Sequence, residues 1–168
     1  MLVKIREYTM TESALPDIAS LLLQVVTSVP EAVRPRLLAL LERTAAGRYE
    51  GWAKELPTHS KRLLECAARE HEIAATAERI FPLDAGGREK LEAPLQGARE
   101  AYFAALSPLS IRDQFRLQAI AERAGGSAWR AMASALSDAK ARAALERSGD
   151  LEEANAAALD ELIAKLRA

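Results

Sequence analysis

The stretch 67-AAREHEIAATAERIF-81 decides how this chain is read. Its apolar residues recur every three to four positions, the spacing that gathers them on one face of an α-helix. Followed back to the start of the segment, the stripe is Leu63, Cys66, Glu70, Ile73, Ala77 and Ile80. A carboxylate therefore stands in the middle of an apolar face. Burying a carboxylate without a partner costs several kcal/mol, so such a group is paired, hydrogen-bonded or bound to a cation. The ordinary reading of Glu70 is a core-edge residue paired with an arginine or tyrosine. The sharper reading is a ligand or an acid.

The same spacing extends to both sides. Leu38, Glu42, Ala45, Tyr49, Trp52 and Leu56 form a stripe from Arg36 to about Leu56, crossing Gly47 and Gly51. Pro57 ends that helix, and 58-THS-60 offers caps for the next, which runs to Ile80. After the loop 82-PLDAGG-87, a helix over about Arg88 to Leu106 buries Leu91, Leu95, Ala98, Tyr102 and Leu106, with Pro94 expected to kink it or mark a late start. Ser110 and Asp113 resemble a capping box that opens a fifth helix, which Gly125 and Gly126 interrupt or bend. A second box, Asp150 with Glu153, predicts the start of a last helix reaching Leu166. A first helix over about 13–28 is apolar on nearly every side, with Leu15, Ile18, Leu22, Val25 and Val29 on one face and Leu21, Leu23 and Val26 widening it. Residues 1–12 read as a loose arm or short strand.

The expected fold is all-α: a single domain over 1–168, an antiparallel four-helix bundle of the middle helices with additional N- and C-terminal helices. Composition agrees. Of 168 residues, 49% are hydrophobic but only 5% aromatic, and alanine, leucine, glutamate and arginine dominate over β-branched types. The net charge of −1 provides no long-range field for nucleic acid or anionic lipid. A lone cysteine, Cys66, rules out a disulfide within the chain and suits a reducing compartment. The first residues lack the pattern of a signal peptide, and 18-IASLLLQVV-26 is too short to span a bilayer. The expectation is a cytoplasmic protein with no membrane partner.

Helix number, order and length resemble the ferritin-like bundles over about residues 36–135. That resemblance implies an iron or manganese site built from inward carboxylates. The candidates are Glu42, Glu70 and Glu122, with Glu100 less well placed. The motif those bundles use, a glutamate followed three residues later by histidine, is missing: Ile73 and Gly125 occupy those positions. The only histidines are His59, near a helix start, and His71, about a quarter turn from Glu70.

Three further readings compete. The segment 119-AIAERAGGSAWRAMASAL-136 resembles the helix-turn-helix of lac-repressor-type regulators, although Gly126 and Ala131 depart from its core positions and Arg130 is the one evident DNA contact. Tyr49, Trp52, Tyr102 and Phe115 fall on inward stripes and are candidates to line a pocket for a small apolar ligand. The surplus apolar face of the first helix predicts a homodimer through residues 13–29. Weighed together, these readings favour a non-catalytic interaction or self-assembly protein that needs no cofactor. A divergent ferritin-like protein holding a metal or small ligand comes second, and a DNA-binding protein third.

Overall fold

The computed structural model describes residues 15–166. Within them lie six helices and no strands: α1 (Ile18–Thr27), α2 (Arg34–Glu55), α3 (Ser60–Ile80), α4 (Ala85–Leu106), α5 (Ile111–Ser134) and α6 (Ala139–Lys165). The all-helical class expected from composition is what the structure shows. The arm expected at residues 1–12 lies outside the described residues.

Side-chain pairs fix the packing. α2 and α3 run antiparallel: Arg43 bonds Glu78 through both carboxylate oxygens, and His71 lies 3.3 Å from Glu50. α5 and α6 do the same through Arg123 with Asp160 and Arg130 with Asp150. The two hairpins face each other along two seams. On one, α3 meets α6 through Arg62 with Glu161, Arg69 with Asn155 and Arg147 with Glu72. On the other, α2 meets α5 through Trp52 with Gln114, Tyr49 with Glu122 and Trp129 with Glu42. Four helices thus close into a ring of antiparallel neighbours. α4 carries the chain from one hairpin to the other, and α1 packs against α5, α4 and α2.

This assignment differs from the expectation in one respect: α6 belongs to the ring and α4 lies outside it. The reason is the true start of α6. Asp138 caps it by accepting from the backbone of Lys140 and Ala141, so Asp150 and Glu153 lie deep inside the helix and open nothing. Gly149 is mid-helix because the α5–α6 crossing is tight there. A methyl group on Gly126 would stand 3.1 Å from the Gly149 carbonyl oxygen, closer than two packed helices allow a side chain.

Of the other caps, the one expected from 58-THS-60 is not made: Pro57–His59 form a 3-10 turn that runs into α3 with no side chain bonded to its first turn. Ser110 accepts from the Asp113 backbone at 3.2 Å and opens α5. α4 starts earlier than expected, at Ala85, where Asp84 caps Gly87 at 2.6 Å; Pro94 therefore lies inside the helix rather than at its beginning. α1 is largely covered by its own chain. Leu21 and Leu22 pack with Tyr102, Leu106 and Leu117, Val26 packs with the Trp129 cluster, and Val25 with Leu37 and Leu91. Leu23, 64% exposed, is the one large apolar residue of α1 left open. No helix among the described residues is long and apolar enough to cross a membrane.

Candidate metal centre

Each helix of the ring turns one glutamate inward. Glu42 comes from α2, Glu70 from α3, Glu122 from α5 and Glu152 from α6, and all four are buried. Periodicity places them there. The α3 stripe Leu63, Cys66, Glu70, Ile73 and Ala77 is buried throughout. On α6 the inward row is Leu145, Ser148, Glu152, Asn155, Leu159 and Leu162, also buried throughout. One carboxylate oxygen from each of Glu42, Glu70 and Glu152 lies within 4.8 Å of the others. Glu122 joins through electrostatics, raising the proton affinity of its three neighbours.

Buried donors hold these carboxylates in place. Trp129 Nε1 donates to Glu42 Oε1 at 3.0 Å and to Glu152 Oε1 at 3.2 Å. Tyr49 Oη donates to Glu122 Oε1 at 2.7 Å, and Gln118 Nε2 donates to the same atom at 2.6 Å. Tyr102 Oη in turn donates to Gln118 Oε1. Asn155 Nδ2 donates to Glu70 Oε1 at 2.5 Å, while its own oxygen accepts from Arg69. Among the described residues no other side chain donates to the buried oxygens Glu70 Oε2 and Glu122 Oε2; these two acids pair with each other, which raises the proton affinity of Glu70 further. Gly125 makes room for the cluster, since a methyl group there would stand 2.8 Å from Glu152 Oε1.

Burial and mutual repulsion both favour the protonated acids. Desolvation first, and then the charge of Glu122, pushes Glu42 up to about 8. The same two causes push Glu70 well above the usual carboxylate range; for Glu152 the second cause is the charge of Glu42. Tyr49 and Tyr102 are raised by burial and by the adjacent Glu122 charge. Four ionised carboxylates so close together need compensating positive charge, and among the described residues no basic side chain donates to any of them.

The structure brings Glu42, Glu70 and Glu122 together, as their stripes predict. Glu152 was missed, because a helix starting at Asp150 would put it in an exposed first turn; the row from Leu145 to Leu162 is the signal that finds it. Glu100 is exposed and accepts from Gln96. Of the aromatic candidates, Tyr49 and Tyr102 belong to the carboxylate network. Trp52 and Phe115 instead pack edge to face at 4.9 Å in the core between Leu63 and Leu159. Cys66 is buried, and burial raises its thiol to about 12, unsuited to a nucleophile. His71 is exposed. The helix-turn-helix reading is overturned: α5 continues through Gly125 and Gly126 without a turn, and Trp129, next to Arg130, is fully buried against Glu42 and Glu152. Comparisons of the chain with family models, curated proteins and solved structures return no match.

Proposed function

We propose that this chain is a divalent-metal protein that holds a pair of ions between four glutamates at the centre of an antiparallel four-helix bundle. The observation that carries this reading is the convergence of four buried glutamates from four helices, three of them with carboxylate oxygens within 4.8 Å of one another. Two divalent cations carry the charge that balances four carboxylates. Donor type supports manganese ahead of iron: every side chain offered is an oxygen ligand, which suits hard divalent ions over thiolate- or imidazole-seeking ones.

The resemblance to ferritin-like bundles supports the same reading in a modified form. Those proteins draw one glutamate from each of two helices and a glutamate with a histidine three residues later from each of the other two. Here the four glutamates have that distribution, but the histidine positions after Glu70 and Glu152 hold Ile73 and Asn155. Ile73 can ligate nothing. Asn155 is engaged by Glu70 and Arg69. The residues fit an all-oxygen pair of sites and do not fit a nitrogen-ligated one. A bound pair would supply Lewis acidity or redox chemistry, while the protein contributes the hydrogen bonds of Trp129, Tyr49 and Gln118 that orient the carboxylates. An assembly role, favoured by sequence, ranks second, because burying four carboxylates costs stability that a docking surface does not require.

Titration of chelator-stripped protein with Mn²⁺ or Fe²⁺, followed by metal analysis and electron paramagnetic resonance, tests the proposal. The expected result is about two ions per chain, a stoichiometry lost in Glu70→Gln and in Glu152→Gln. Wild-type protein that takes up no Mn²⁺ or Fe²⁺ at millimolar concentration would leave the cluster as a network of neutral acids and overturn the metal reading.

A further inference from the structure

A cavity of about 60 Å³ adjoins the carboxylate cluster on the side roofed by α1 and α4. Its walls are largely apolar, with Leu22 from α1, Leu38 and Ala45 from α2, Ala98 from α4 and Ala121 from α5, beside the polar Tyr102 and Gln118. At its inner, buried end lie Glu42, Glu122 and Glu152. Half-buried residues, Thr44 and Arg99 among them, mark its outer side. The two helices outside the ring thus enclose a space against the cluster.

Arg99 gives this space its chemistry. Its Nε donates to Thr44 Oγ1 at 3.1 Å, which fixes the plane of the guanidinium. Among the described residues it makes no ion pair with any carboxylate. Its two terminal nitrogens are therefore free for a planar anion, the partner to which guanidinium binds through two parallel hydrogen bonds. A charged head is best accommodated at the half-wet outer end beside Arg99, and an alkyl tail in the dry, apolar interior.

We infer that the cavity binds a short-chain monocarboxylic acid, with its carboxylate on Arg99 and its tail directed toward the Glu42, Glu122 and Glu152 end. The volume limits the tail to a few carbons, so butyrate and hexanoate are the probes. The inference names the substrate class of the proposed metal site; only the end of the tail that faces the cluster depends on that reading.

The test uses the full chain with butyrate and hexanoate, in chelator and again loaded with Mn²⁺, read by ligand-observed NMR titration. Saturable binding is expected in both states. It should weaken about tenfold or more in Arg99→Gln, and hexanol should bind less well than hexanoate by a similar factor. Ala98→Val, which narrows the wall without touching Arg99, should weaken hexanoate more than butyrate. With Mn²⁺ present, the terminal methyl should relax faster than the methylene beside the carboxylate. Undiminished binding in Arg99→Gln, or equal affinity for hexanol, would overturn the pocket. Faster relaxation of the methylene beside the carboxylate would overturn it too, by placing the head on the metal. Arg99-dependent binding with no relaxation enhancement at any proton would uphold the pocket and count against the metal alone.

Discussion

Replacing Gly125 by alanine sets two effects against each other at one atom. The new methyl group would stand 2.8 Å from Glu152 Oε1 and 3.1 Å from its carboxylate carbon. Neither contact can persist, so the Glu152 carboxylate must turn. Its Oε1 accepts from Trp129 at 3.2 Å, and turning loses that bond. Alanine gains roughly 1 kcal/mol over glycine inside a helix. A hydrogen bond is worth about 1.5–3 kcal/mol to an ionised carboxylate and about 0.5–1.5 kcal/mol to the protonated acid that burial favours here. The two effects should therefore nearly cancel in the metal-free variant, to within about 0.5 kcal/mol. The metal should respond more strongly, because misplacing a ligand or the group that orients it costs about 10–100-fold in affinity. Gly47→Ala is the matched control: nothing lies within 4 Å of the added methyl, so only the helix gain of roughly 1 kcal/mol applies and metal affinity stays the same. Urea denaturation in chelator reads the first effect and Mn²⁺ titration the second. A folded Gly125→Ala protein that binds Mn²⁺ as the wild type does would refute the reasoning, since the position of the Glu152 carboxylate would then be irrelevant to the site.

Two other perturbations have defined outcomes. Glu42 has its folded pKa raised from 4.5 to about 8, so between those values the folded chain retains a proton that the unfolded chain releases. Metal-free protein should then be most stable near pH 5 and lose on the order of several kcal/mol by pH 8, with Glu70 and Glu152 acting in the same direction; thermal melts at a series of pH values in chelator check this, and a flat profile would refute it. Added Mn²⁺ should restore stability most at the alkaline end. On α1, Leu23→Glu should change stability by less than about 0.5 kcal/mol, whereas Leu21→Glu, which enters the Tyr102 cluster, should cost about 2 kcal/mol or more. Light scattering on the Leu23→Glu protein tests the homodimer expected through residues 13–29: an unchanged mass would show that the open part of this face holds no second copy.

Much of the site could be read from spacing, and what could not be read traces to glycine. The stripes of α2, α3 and α5 put Glu42, Glu70 and Glu122 inward, and each is buried. A helix period identifies a face without knowledge of the neighbour that covers it. Glycine carries no such information, because the same residue ends a helix, bends it or admits a second helix at close range. Gly125 and Gly126 resemble a turn, and Gly149 before Asp150 resembles a break. In the structure Gly126 and Gly149 meet each other across the α5–α6 crossing, and Gly125 clears the Glu152 carboxylate. Each feature is intelligible only once the partner helix is in place. The same error hid Glu152.

The arrangement of donors also explains why the cluster sits where it does. The first hairpin, α2 with α3, contributes Glu42 and Glu70; the second, α5 with α6, contributes Glu122 and Glu152. Three of the four carboxylates accept a hydrogen bond from the opposite hairpin: Glu42 from Trp129, Glu70 from Asn155 and Glu122 from Tyr49. The second hairpin holds Glu152 through Trp129 and Glu122 through Gln118, but Glu42 and Glu70 of the first take their donors from the second. Docking the two aligns the donors and at the same time brings four acids into one dry space, where their charges oppose the docking that positions them. Divalent ions held by these glutamates would reverse the sign of that last contribution, because acids of both hairpins would be attracted to them at once. On this account metal affinity and the closure of the seam between hairpins are two readings of one free energy. That coupling places the acids at the junction of the hairpins, where bound cations would do most for the fold.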